Sequence, residues 1–351
     1  MRTATLRPGQ LAMDEMVGAV LVRDLVVDGS RWSKGRQLTA DDLQILARPG
    51  TISPAIETLT VIIPGPDDLH EDAAALRLAA AVDGPGLTMR GPNESRIDLL
   101  AAAAGVVHVR PRELELLNRI DPLEVFTALD GSIVEAGQLV ASVKVAPHVV
   151  EAVLVDQGTR LARFGKRPIV WLAPFLPMRV GVVVKESLRA SDRDRFERSA
   201  RQKIESLGST VATIAYVPDR VGPVEAALAS VTRGHYRSAV VLTAGGRSTD
   251  PTDPFFVAIE RLGGRVVRHG VPAHPGSMLW LARVGGTAIL GLPTCGAYSK
   301  ATAADLLLPR LLTGEPPTLQ TVSRLGHGGI LTRSMRFRFP PYARELDAPD
   351  G

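Results

Sequence analysis

The hydrophobic pattern changes rhythm near Met178. After that point short apolar runs alternate with amphipathic stretches. Val180-Gly181-Val182-Val183-Val184 is a continuous apolar run, which predicts a strand buried on both faces. Residues 192–207 place Phe196, Ala200, Ile204 and Leu207 at spacings of four, four and three. That spacing predicts an amphipathic helix, with Ser191 suited to its N-cap and Gly208 to its stop. Residues 211–217 read as the next strand. Residues 223–231 read as a helix opened by Pro223 in its first turn. Val240–Leu242 follows as a strand, then a helix over 254–262 stopped by Gly263-Gly264, then a strand over 266–271. Leu279–Arg283 and Thr287–Leu290 flank Gly285-Gly286 and predict a hairpin. A last helix is predicted from about Ser299 to Leu312. From 318 on the chain reads mostly as loop, with the alternation Met335-Arg336-Phe337-Arg338-Phe339 suggesting a strand.

Strand-helix alternation of this kind predicts a three-layer α/β/α sandwich with a mostly parallel sheet over 178–314. The pattern before it differs. Residues 1–150 read as a mixed, β-rich domain: Asp28-Gly29-Ser30 is a turn, Leu59–Ile63 a strand, 68–81 a helix with a broad apolar face, and 134–147 one or two strands. Residues 151–177 join the two parts, and 315–351 form a C-terminal tail.

Composition adds limits. The chain has 351 residues, 45% apolar and 22% charged, which fits a folded protein of more than one domain. Net charge is only +4 and aromatics are 4%, with no long Lys/Arg block, so nucleic acid is not the expected partner. One cysteine, Cys295, rules out an internal disulfide framework. No apolar run is long enough to span a membrane, and the first residues lack the apolar core of a signal peptide. A cytoplasmic location is the expectation.

Parallel sheets of this class bind ligands beyond the carboxyl ends of their strands. Three loops should meet there: 244–253, 272–278 and 291–299. The first is the most informative. Val240-Val241-Leu242 runs into Thr243-Ala244-Gly245-Gly246-Arg247-Ser248, followed by Asp250, Asp253 and a helix start at Pro254. Glycines lacking Cβ let backbone N–H groups approach an oxyanion, and the helix N-terminus adds positive potential. Asp250 and Asp253 beside such a cradle are placed to hold a divalent metal or take a proton. Asp253 is also suited to cap the helix, and Asp250 to close a turn. Cys295 reads more readily as a small buried hydrophobe than as a nucleophile, since no partner histidine is identifiable. His70-Glu71-Asp72 looks metal-like, but consecutive helical positions do not face one point. Gly326-His327-Gly328-Gly329 reads as a flexible loop, because no βαβ unit surrounds it.

The three loops carry a resemblance. Gly245-Gly246-Arg247-Ser248-Thr249-Asp250-Pro251-Thr252-Asp253 is similar to a Gly-Gly-x-Ser/Gly loop ending in Asp. Pro275-Gly276-Ser277 is similar to a Pro-Gly-Lys segment, and Gly291-Leu292-Pro293-Thr294-Cys295-Gly296 to a Gly-Leu-Pro-Gly-Asn-Pro loop. Together they resemble the molybdopterin-binding domain shared by molybdopterin adenylyltransferase and molybdopterin molybdotransferase. The whole chain resembles a subgroup of molybdotransferase-like proteins that in bacteria are sometimes fused to a nucleotidyltransferase. Lys34-Gly35, Asp67–Asp72, Val143–Pro147, Ser299-Lys300 and Gly326–Gly329 carry that part. The Arg-Met-Gly-containing signature of a nucleotidyltransferase does not occur in these residues. The Asp-Asn-Ser-Ala-Met-Asp-Gly-Tyr segment of the molybdotransferase's insertion site is absent from the N-terminal half.

The resemblance implies molybdopterin as ligand, held by Thr243, Gly245, Gly246, Ser248, Pro275, Gly276, Ser277, Pro293, Thr294, Cys295 and Lys300. It implies Asp250 and Asp253 as catalytic residues and ligands of Mg²⁺. The leading function is molybdate insertion into molybdopterin or adenylylated molybdopterin. The alternatives are a non-catalytic carrier that delivers the cofactor and a molybdopterin adenylyltransferase. A homo-oligomer and a client molybdoenzyme complete the set of partners considered.

Overall fold

The structure is a computed structural model and describes residues 1–10, 14–165, 167–185, 190–245, 250–292 and 301–344. The chain divides into two compact units. The first holds residues 1–102, 107–130 and 136–172. The second holds residues 103–106, 131–135 and everything from 173 on.

The first unit is built from small antiparallel sheets. Arg2–Leu6, Leu59–Ile63 and Val20–Leu21 form one, with Leu59–Ile63 in the middle. Leu25–Val27 and Ser30–Trp32 form a hairpin whose turn residues Asp28 and Gly29 both have positive φ, 49° and 75°. A two-residue turn needs that left-handed pair to match the twist of its strands, and Asp-Gly supplies it. A four-stranded sheet runs in the order Leu123–Thr127, Leu139–Val145, Arg96–Ala101, Leu87–Asn93. Helices Glu71–Val82 and Ala152–Ala162 pack on each other. The sequence placed the first of these helices from residue 68. Asp68–His70 is instead a short strand paired with Val149–Glu151. His70 then caps the helix: its Nδ1 accepts from Asp72 N–H at 3.3 Å while its Nε2 donates to the Gly35 carbonyl at 2.7 Å. Glu71 pairs with His148 at 3.0 Å. The metal-like triplet thus splits among separate structural contacts.

The second unit is a three-layer α/β/α sandwich. Its six-stranded sheet has the order Thr210–Tyr216, Arg179–Val184, Val240–Ala244, Thr287–Gly291, Trp280–Val284, Arg265–His269. The first four are mutually parallel, with Val184 beside both Tyr216 and Ala244, and Thr243 beside Gly291. The last two are antiparallel to their neighbours. The 280–284 and 287–291 pair is the hairpin read from Gly285-Gly286. Alternate residues of the central strands face opposite layers. Val182, Leu242 and Leu290 pack with Phe196, Ile204 and Leu308 on one side. Val183, Val241 and Ile289 pack with Val224, Leu228, Phe255 and Ile259 on the other.

Two expectations are corrected. Residues 333–338 form a 3₁₀ helix instead of a strand. Their period-two pattern has no partner strand, and turn bonds such as Phe339 N–H to Arg336 O at 3.1 Å satisfy the backbone locally. The tail also does more than loop. Val322, Leu325, Leu331, Phe339, Tyr342 and Ala343 are buried in the same core as the central strands. At its centre lies a polar knot: Asp305 Oδ1 accepts from Tyr342 Oη at 3.0 Å and from Lys203 Nζ, while Oδ2 accepts from Thr302 N–H at 2.9 Å. Burial first, and the Asp305 charge second, push the Tyr342 phenol well above its ordinary value. No helix among the described residues is long and apolar enough to cross a membrane.

Candidate functional site

Four parallel strands end side by side, so the residues that follow them form one rim. Lys185 follows the 179–184 strand, Asp219 follows 210–216, Gly245 follows 240–244 and Leu292 follows 287–291. The ladder continues one step into the rim: Lys185 N–H donates to Ala244 O at 3.1 Å, and Leu292 N–H to Thr243 O at 2.8 Å. The rim is therefore set by backbone pairing.

Thr243 is buried, and its Oγ1 has no hydrogen-bond partner among the described residues. An orphan buried hydroxyl is unfavourable by about 1–3 kcal/mol, so its presence at the rim needs a reason. Gly245 has φ of 85°, the left-handed conformation that glycine adopts freely. The chain turns there at the point where the strand ends. Gly246 and Ser248 lie outside the described residues, as do Pro293, Thr294, Cys295 and Lys300.

Asp253 caps the 254–261 helix: Oδ1 accepts from Phe255 N–H at 2.8 Å. Its other oxygen meets a residue that the sequence reading did not single out. Lys185 Nζ lies 3.0 Å from Asp253 Oδ2 and 2.7 Å from Asp219 Oδ1. The Lys185 side chain is fully buried and Asp253 is 1% exposed, while Asp219 remains 43% open to solvent. The ammonium also sits 5.6 Å from the Phe255 ring centre. The only signal for Lys185 in the sequence is a charge directly after an apolar strand run. Nothing local connects it to Asp219 or Asp253, respectively 34 and 68 positions later.

Asp250 points into its own turn. Its Oδ1 accepts from Thr252 N–H at 2.9 Å and from Thr252 Oγ1 at 2.7 Å. Among the described residues no three His, Cys, Asp or Glu side chains gather as a metal site requires. Magnesium takes about six oxygens at roughly 2.0–2.1 Å and keeps several waters. Asp253, closed to solvent and engaged by a helix N–H and an ammonium, does not fit that role.

The 272–278 loop is held from the tail side. His274 N–H donates to Gly329 O at 2.7 Å, and Leu331 N–H returns to His274 O at 2.8 Å. The Gly326–Gly329 loop thus has a defined partner. A Cβ on Gly329 would lie 2.4 Å from Pro272 O, which explains glycine there. Pro275 O accepts from Ala303 N–H at 2.9 Å. Gly276 has φ of 108°, and a Cβ on it would meet Ala303 N at 2.8 Å. Pro275 and Gly276 therefore lie against the 301–303 segment that leads out of the third loop, and Ser277 beside them is half-buried. His274 is exposed. Gly291 has a packing reason of its own, since a Cβ would fall 2.0 Å from the Trp280 ring.

Residues 181–313 match the family model of a probable molybdopterin binding domain. The match covers the four parallel strands almost entirely, together with the rim at their carboxyl ends. Among solved structures, the molybdopterin biosynthesis moea protein from Pyrococcus horikosii is similar at 15% identity and a TM-score of 0.29, over 74% of this chain and 81% of that one. The molybdopterin biosynthesis enzyme MoaB from Thermus thermophilus is similar at 23% identity and a TM-score of 0.31, over 40% of this chain and 98% of that one. No curated protein matches the chain.

Proposed function

We propose that the 178–314 domain binds molybdopterin at the carboxyl rim of its parallel strands, and that the protein acts in molybdenum cofactor biosynthesis in the cytoplasm. The observation that carries this reading is the family match over 181–313. Thr243 and Gly245 at the rim, together with Gly276 of the second loop, are the described residues expected to receive the pterin phosphate. Thr243 would donate its orphan hydroxyl, and the glycines would offer backbone N–H groups. Gly246, Ser248, Pro275, Ser277, Pro293, Thr294, Cys295 and Lys300 complete the proposed set on the sequence pattern alone.

Of the finer readings, a carrier that holds the cofactor and passes it to a client molybdoenzyme is favoured over molybdate insertion. The engagement of Asp253 with Lys185 supports this choice, because it occupies one of the two carboxylates that insertion was expected to use. Adenylyl transfer has no supporting observation here. The test is turnover. Protein incubated with molybdopterin and molybdate should bind the pterin yet yield no more cofactor, scored by activation of an apo-molybdoenzyme, than a protein-free control. Catalytic yield above that control would make insertion the function.

A further inference from the structure

The Lys185 ammonium bridges two carboxylates from different strand ends, 2.7 Å from Asp219 and 3.0 Å from Asp253. A cation held between two acids at the carboxyl rim of a parallel sheet is the arrangement expected of a divalent metal. Here the cation is part of the chain. We propose that Lys185 is a built-in cation that takes the place of a divalent metal between Asp219 and Asp253, so that neither carboxylate binds metal in the native protein.

Three features carry this. The Lys185 side chain is fully buried, so its charge is in the interior by design of the fold and not by chance of a surface rotamer. A buried ammonium requires a counter-charge, and Asp253, itself closed to solvent, supplies one at hydrogen-bond distance. The position is fixed from three directions: the backbone of Lys185 continues the sheet ladder to Ala244, its ammonium lies 5.6 Å from the Phe255 ring centre, and Asp253 is anchored by Phe255 N–H. A metal ion would have to displace the ammonium from Asp253, whose carboxylate is closed to solvent. The ammonium also differs from a metal in what it can do. It offers charge and directed N–H donors but no open coordination position, so it can orient an anion near Asp219 without activating a bound water. The inference concerns this chain's own residues and stands whether or not the ligand is molybdopterin.

Manganese is the probe, followed by its EPR signal in titrations of the full chain. Asp253→Asn should leave wild-type Mn²⁺ binding unchanged. Lys185→Ala should gain a site about tenfold or more tighter than any in the wild type, because two carboxylates then face a cavity. The gain should vanish in Lys185→Ala/Asp253→Asn. Wild-type Mn²⁺ binding weakened by Asp253→Asn would overturn the proposal, and so would a folded Lys185→Ala protein that gains no site. If Lys185→Ala does not fold, the Asp253→Asn comparison decides alone.

Discussion

Lys185 and Asp253 meet at 3.0 Å, both closed to solvent, one at the end of a central strand and the other at the start of a helix 68 positions on. The contact ties strand order to helix placement at the rim. Lys185→Met should cost about 3–5 kcal/mol, because it leaves the buried Asp253 charge without its counter-ion. Asp253→Asn should cost less, about 1.5–3 kcal/mol, since the cap to Phe255 survives and Lys185 keeps Asp219. The double variant Lys185→Met/Asp253→Asn should cost less than the sum of the two. Urea unfolding of the four proteins checks this, and additive losses would show that the pair is not coupled.

Thr243→Val tests the orphan hydroxyl. Removing a buried Oγ1 that has no partner among the described residues should stabilise the ligand-free protein or leave it unchanged. The same variant should weaken molybdopterin binding if the hydroxyl serves the ligand. A loss of stability of about 1 kcal/mol without ligand would mean that the hydroxyl has a structural partner.

The Asp305–Tyr342 contact gives a pH prediction. The Tyr342 phenol is raised well above its ordinary value by burial and by Asp305. Its folded value therefore exceeds its unfolded value. The stabilisation is complete below the unfolded pKa of about 10 and declines as pH rises beyond it. Unfolding midpoints should fall with pH above that point in the wild type, and less steeply in Tyr342→Phe. Absorbance at the phenolate band should report Tyr342 ionising only as the protein unfolds. A normal phenolate titration in the folded state would refute the burial.

Gly276→Ala places a Cβ 2.8 Å from Ala303 N at a φ of 108°, so the loop must shift or strain. The expected loss is about 1–3 kcal/mol. Gly285→Ala is a control in a turn where a Cβ meets nothing within 4 Å, although its φ of 56° still favours glycine. Its loss should be the smaller of the two in thermal melts.

Much of the α/β unit was legible because each buried parallel strand is a continuous apolar run and each helix carries an apolar stripe. Val240–Ala244 with Gly245, and the 280–291 hairpin, are read from local pattern alone. The Asp253 cap was legible for the same reason, since capping is a matter of adjacent residues. Lys185 was not. Its role depends on two acids brought in by other strands and a helix, and no local pattern encodes that. The 333–338 segment was misread because alternation specifies a strand only where a sheet edge is there to receive it. The tail's burial was missed because its apolar positions, Phe339, Tyr342 and Ala343 among them, follow no sustained helical or strand period, and only the core they enter gives them meaning.

The central claim is that this chain binds molybdopterin through its α/β unit. The most direct measurement is an anaerobic titration of purified full-length protein with molybdopterin, with bound pterin recovered by gel filtration and identified by mass spectrometry. Saturable, stoichiometric retention that is weakened by Thr243→Val and by Gly246→Val is the expected result. Pterin that elutes free of the protein at every concentration, or retention that both variants leave untouched, would contradict the account.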